Sequence, residues 1–138
     1  MTTPGPLTTD DRLAVTELLY RYARALDSRD METYIASFAP DAVFQSLRSR
    51  AEGLEAIRTM VQSLFDNATA VYRHIPAAPI IEGGNAERCT VRSYAQQLRR
   101  DADGSTHIHQ VVDYRDTCVK IDGHWVIQER INSVAFGV

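Results

Sequence analysis

The chain has 138 residues, 44% of them hydrophobic and 24% charged, with a formal net charge of −3. That length makes one domain, large enough to bury a core without disulfide or metal staples. The balance excludes a disordered chain, and the scattered basic residues, grouped only at Arg99-Arg100, exclude a nucleic-acid-binding footprint.

Residues 1–8 carry Pro4 and Pro6 and read as a flexible arm ahead of a single domain over 9–138. They lack the basic and apolar regions of a signal peptide, and no apolar run reaches membrane-spanning length. A cytoplasmic protein without a membrane partner is expected. Thr8-Thr9-Asp10-Asp11 offers an N-cap with acids in the first turn, so a helix is predicted from Asp10 to Leu26. Leu18, Leu19, Tyr22, Ala23 and Leu26 form its apolar stripe. Ser28-Arg29-Asp30 caps a short second helix through Phe38, which Pro40-Asp41 ends, and Ala42 to Leu47 is a short strand. Gly53 to Phe65 is a third helix with Leu54, Ile57, Val61, Leu64 and Phe65 on one face.

The remainder reads as β. Thr69 to Ile75 is a strand in which Pro76 and Pro79 demand a bulge or break before Ile80-Ile81. Glu87 to Arg99, Ser105 to Lys120 and Trp125 to Val134 are strands, separated by the turn signals Gly83-Gly84-Asn85, Asp103-Gly104 and Asp122-Gly123. The order α-α-β-α-β-β-β-β is an α+β domain with an antiparallel meander. Strands this long must twist and curl, and a sheet curled around a helix leaves a concavity suited to a small ligand. Cys89 and Cys118 sit in strand segments outside any C-x-x-C pair and read as buried, reduced residues.

Three polar residues stand out by position: Tyr22 in the first helix, Asp27 at its end, and His74 on an apolar strand. Each has a structural alternative, as a core tyrosine, a cap of the second helix and a satisfied core histidine. Five helical residues separate Tyr22 from Asp27 by about 140° and about 7.5 Å, so convergence requires the helix end to unwind. His107, His109 and Asp113 follow an H-x-H-then-acid pattern of the cupin type. They have no fourth ligand on a later strand and read as a solvent-facing strand surface, so no metal is expected. His124 reads as surface.

The chain resembles the SnoaL-like branch of the nuclear transport factor 2-like superfamily. The likeness rests on Leu19-Tyr20-Arg21-Tyr22-Ala23-Arg24-Ala25-Leu26-Asp27-Ser28-Arg29-Asp30, on Phe38-Ala39-Pro40-Asp41-Ala42-Val43-Phe44, on Arg73-His74-Ile75, and on Tyr114-Arg115-Asp116 through Lys120-Ile121-Asp122-Gly123-His124-Trp125-Val126-Ile127. It implies a cone-shaped α+β barrel, a curved sheet wrapped around the N-terminal helices, with one deep pocket and frequent homodimers or homotrimers. It does not imply one activity.

Within the family, Asp27 and His74 fall on the acid and histidine of a dehydratase and dehydrochlorinase subgroup, and Tyr22 falls on the tyrosine of bile-acid dehydratase. The chain departs from scytalone dehydratase, which has a tyrosine where Leu26 stands and a second histidine where Tyr94, Gln96 and Gln97 stand. The resemblance implies a lyase or isomerase, without a cofactor, acting on a small hydrophobic ring-containing molecule: a polyketide, steroid or aromatic metabolite. Asp27, His74 and Tyr22 would be its catalytic residues and Tyr114 a substrate-binding residue. The alternatives are a polyketide cyclase, or a non-catalytic binding protein such as the small subunit of a ring-hydroxylating dioxygenase.

Overall fold

The computed structural model describes residues 2–137. Helix α1 spans Thr9–Ser28 and opens with a capping box in which Thr8 and Asp11 exchange side-chain-to-backbone hydrogen bonds. It ends at Arg29, whose left-handed backbone (φ 58°) turns the chain. Helix α2, Met31–Ala36, is capped by Asp30. Ahead of α1 the arm is tied down: the Gly5 carbonyl accepts from Ala86 N–H, and Leu7 packs on the core.

Strand β1 is Phe38–Gln45, so the second helix stops two residues earlier than expected and Pro40 lies inside a strand. Proline is tolerated there because the pairing of β1 with the last strand is interrupted between Phe38 and Val43. A three-residue strand β2, Arg50–Glu52, was not expected and pairs with β1. Helix α3 covers Leu54–Asn67. Four long strands follow: β3 Val71–Gly84, β4 Arg88–Arg100, β5 Thr106–Ile121 and β6 His124–Gly137. Pro76 and Pro79 do not end β3. Its register shifts between Ala77 and Ile80, with Ala78 at φ 51°.

The strands form one sheet in the order β2-β1-β6-β5-β4-β3. β3 to β6 are the antiparallel meander, and β1 joins β6 in parallel. The sheet is not a closed barrel. β2 and β3 remain as edges, because α1 packs on β3 and β6 while α3 packs on β1 and β2, and these helices occupy the concavity. The inner face buries Val91, Cys89, Cys118, Trp125 and Ile127 against α1. Cys89 and Cys118 are free thiols directly opposite one another on β4 and β5. No helix among the described residues is long and apolar enough to cross a membrane.

Candidate functional site

Strand alternation turns Tyr72, His74 and Pro76 of β3 inward, toward the C-terminal end of α1. There His74 meets Asp27. Its backbone N–H donates to both carboxylate oxygens, at 3.1 and 2.9 Å, and its Nδ1 lies 2.5 Å from Oδ1. The two side chains are only 12% and 10% exposed. A carboxylate can only accept, so Nδ1 carries the proton and the Nε2 lone pair of the neutral ring is left available. Asp27 therefore fixes both the position and the tautomer of His74, and capping of α2 falls to Asp30 instead.

Tyr22 and Asp27 border the same hollow without any unwinding of α1, which runs unbroken to Ser28. The required convergence is supplied by the sheet, which curls around the helix so that residues well apart in angle border one hollow. The Tyr22 hydroxyl is 3.3 Å from that of Tyr34. Burial, then the neighbouring Tyr22, holds the Tyr34 hydroxyl well above the usual phenol range.

Behind these rings lies an arginine that sequence reading passed over. Arg130 is 1% exposed and pairs bidentately with Asp116, Nε to Oδ1 at 2.7 Å and Nη2 to Oδ2 at 2.8 Å. Its guanidinium stacks 4.2 Å from the ring centre of Tyr22 and 3.8 Å from that of Tyr114. Burial opposes this charge, but Asp116 outweighs it and keeps Arg130 above the ordinary arginine range. Nη1 has no partner among the described residues. Burial raises the Tyr114 hydroxyl and Tyr22 adds to that, while the Arg130 charge pulls it down. Arg130 was hidden because a register shift between Thr117 and Cys118 inverts the alternation of β6. Asp116 left a signal, an acid at a buried position of the alternating run Val112, Tyr114, Cys118.

Between α1, α3 and the inner sheet face is a cavity of about 690 Å³, bordered by Tyr22, Asp27, His74 and Tyr114 and walled by Phe44, Val61 and Phe65. That is the size and character of a site for a drug-sized organic molecule.

The expectation for His107, His109 and Asp113 needs correcting. Asp113 faces Tyr94 and Ser133 on the outer side of the sheet, whereas His109 borders the cavity. The physical reason is a bulge: Gln97 pairs with Gln110 and Leu98 with Ile108, so His109 has no partner on β4 and the two-residue period fails. His107 stays near the edge, its Nδ1 3.7 Å from Asp101. Among the described residues, no group of three or more His, Cys, Asp or Glu is placed to hold a metal.

The fold is thus a curved sheet wrapped around helices, with an acid–histidine pair at the wall of a mixed apolar and polar cavity. Residues 8–131 match the SnoaL-like domain model, and the chain belongs to that family. It is 30% identical over 125 residues to the terephthalate 1,2-dioxygenase terminal oxygenase component subunit beta 1 of Comamonas sp., covering 80% of this chain and 81% of that protein. Among solved structures, a protein of unknown function with a cystatin-like fold from Nostoc punctiforme PCC 73102 superposes with a TM-score of 0.83, at 29% identity and 94% coverage of both chains. A Catenulispora acidiphila protein in complex with S-DNPA has a TM-score of 0.82 at 24% identity, covering 92% of this chain and 95% of that one.

Proposed function

We propose that the chain is a lyase or isomerase that needs no cofactor and acts on a small, largely apolar ring-containing molecule. The observation that carries this reading is the Asp27–His74 contact at the wall of an apolar cavity. Nε2 of His74 takes a proton from carbon next to a carbonyl. The C–H electrons move toward the carbonyl oxygen, and Asp27 stabilises the imidazolium. Tyr22 donates a hydrogen bond to that oxygen, and Tyr114 lines the place where the ring sits. The Arg130 cation stacks against both tyrosine rings and holds them in place at the cavity wall. In elimination, the returning electrons form C=C as the β-substituent leaves, and His74 gives its proton to a leaving hydroxide. In isomerisation the proton returns to another carbon. Cyclisation of a polyketide needs the same base and the same pocket. The ligand-bound Catenulispora protein of the same fold supports a small-molecule occupant.

The test uses a bicyclic ketone in place of the unidentified substrate. The protein should accelerate exchange of the C2 protons of 1-tetralone in D2O, followed by proton NMR. Nitrogen NMR of the His74 ring should show the Nδ1–H form in the wild type and a shift toward Nε2–H in Asp27→Leu. Exchange at the buffer rate, together with identical ring-nitrogen signals in both proteins, would remove the base from the mechanism.

A second reading is a binding subunit, and the outer face of the sheet favours it. Ile75, Gln96, Val111 and Phe136 stand in one row across four strands, and Ile75, Tyr94 and Phe136 are 45%, 55% and 67% exposed. A row of this kind, apolar at three of its four positions, suits a second copy of the chain. The relative named as an oxygenase subunit points the same way. Light scattering should then give a dimer or trimer that Tyr94→Lys with Phe136→Lys converts to monomer. A monomeric wild type at micromolar concentration refutes the interface.

A further inference from the structure

The inner face carries a second polar station, two strands away from the reacting end. His74, Gln97 and Gln110 are in register across β3, β4 and β5. At the usual strand spacing this places Gln110 about 10 Å from His74. Gln110 Nε2 donates to Gln97 Oε1 at 2.7 Å, which uses one donor and one acceptor of the two amides and leaves the others. Gln97, Gln110 and His109 all border the large cavity.

His109 is beside this pair because of the bulge. A regular strand would alternate, so that His109 and Gln110 could not both face inward; the extra residue re-aims the imidazole. The neighbouring strand is built to allow it. At Gly137, opposite Gln110 on β6, a Cβ would come within 2.7 Å of the Gln110 Cβ and 3.3 Å of the His109 carbonyl oxygen. The ring is held edge-on to Tyr72, with centroids 5.9 Å apart, and Arg99 covers Tyr72 at 5.7 Å. Burial, and after it the charges of Arg99 and His107, favours the neutral form of His109, which both donates and accepts.

We infer that His109, with the Gln97–Gln110 amide pair, is a specificity-determining station that binds a hydroxyl or carbonyl oxygen on the ring edge opposite the one presented to His74. The inference rests on the reading of His74 as the reacting end. It narrows the substrate class to fused two-ring molecules with an oxygen on each outer edge, because one ring with one oxygen cannot reach both stations. His109 is a positioning residue here and takes no part in proton transfer.

The experiment compares two fluorescent probes, 2-naphthol and 2,6-dihydroxynaphthalene, titrated into the full chain. The wild type should bind the diol about tenfold more tightly, the worth of one well-placed hydrogen bond. In His109→Leu that ratio should fall to near one while 2-naphthol affinity holds. In His109→Gln, which keeps a donor and an acceptor, most of the ratio should return. Equal affinities in the wild type, no binding of either probe, or an unchanged ratio in His109→Leu overturns the inference. The tetralone exchange reads His74 separately. Exchange with no diol preference defeats only the station, and a diol preference without exchange defeats only the base.

Discussion

Asp11 and Asp27 stand near opposite ends of α1, and each reaches from the helix to the sheet. Asp11 accepts from Thr8 N–H, from Lys120 Nζ at 2.8 Å and from Trp125 Nε1 at 3.0 Å, so its oxygens are taken by the helix cap and by two side chains of the sheet. Asp27 accepts from the backbone and ring of a single residue, His74, whose other nitrogen is left free at the wall of a cavity. Two aspartates of one helix thus have the same local chemistry and different outcomes. At one end the hydrogen bonds close the structure. At the other they orient an imidazole beside a cavity. The partner decides the role.

The largest effect is expected at the open end. His74→Ala should lower tetralone exchange by about 10²–10⁴-fold, the usual worth of a positioned base, with thermal unfolding close to wild type. A variant that unfolds early would make His74 a structural residue like the partners of Asp11. Between the two ends lies the buried Asp116–Arg130 pair. Asp116→Ala strands the arginine charge, and urea unfolding should report a loss of about 3–5 kcal/mol. A loss below about 1 kcal/mol would show that Arg130 finds another anion or water.

Asp11→Asn should lower the unfolding temperature at neutral pH and leave exchange unchanged. The bonds from Lys120, Thr8 and Trp125 hold the Asp11 carboxyl well below its ordinary value of 3.8. A depressed carboxyl stabilises the fold above its unfolded-state value, and that contribution is lost as pH falls through the folded-state one. Wild-type stability should therefore drop more steeply than that of Asp11→Asn below about pH 4. Parallel acid limbs in the two proteins would mean that Asp11 contributes nothing through its charge. The smallest change is Tyr22→Phe, which loses one hydroxyl contact to Tyr34 and about 1 kcal/mol. Exchange should fall while the unfolding temperature moves by a few degrees.

Much of this molecule could be read from its residues. The 3.6-residue stripe of α1, the Thr8 cap and the glycine turns at Gly104 and Gly123 each act over a few residues, and local chemistry specifies them. Asp27 and His74, 47 positions apart, were paired through the family resemblance, since spacing alone could not join them. Arg130 and His109 were missed for one shared reason. Both lie where a strand slips by a residue, and there the two-residue period that sorts inward from outward side chains reverses.

The sequence was sufficient for the α+β class, the three helices and their places in the chain, the antiparallel meander of β3 to β6 and the choice of Asp27, His74 and Tyr22 as candidates. These follow from periodicity, turn chemistry and a residue pattern shared with a family. The tertiary structure decided the rest. It set β1 parallel to β6 and left the sheet open, with α1 packed on β3 and β6 and α3 on β1 and β2. It stacked the Arg130 charge between two tyrosines and turned His109 into the cavity, because bulges are settled by how neighbouring strands pack, over distances that no local pattern records.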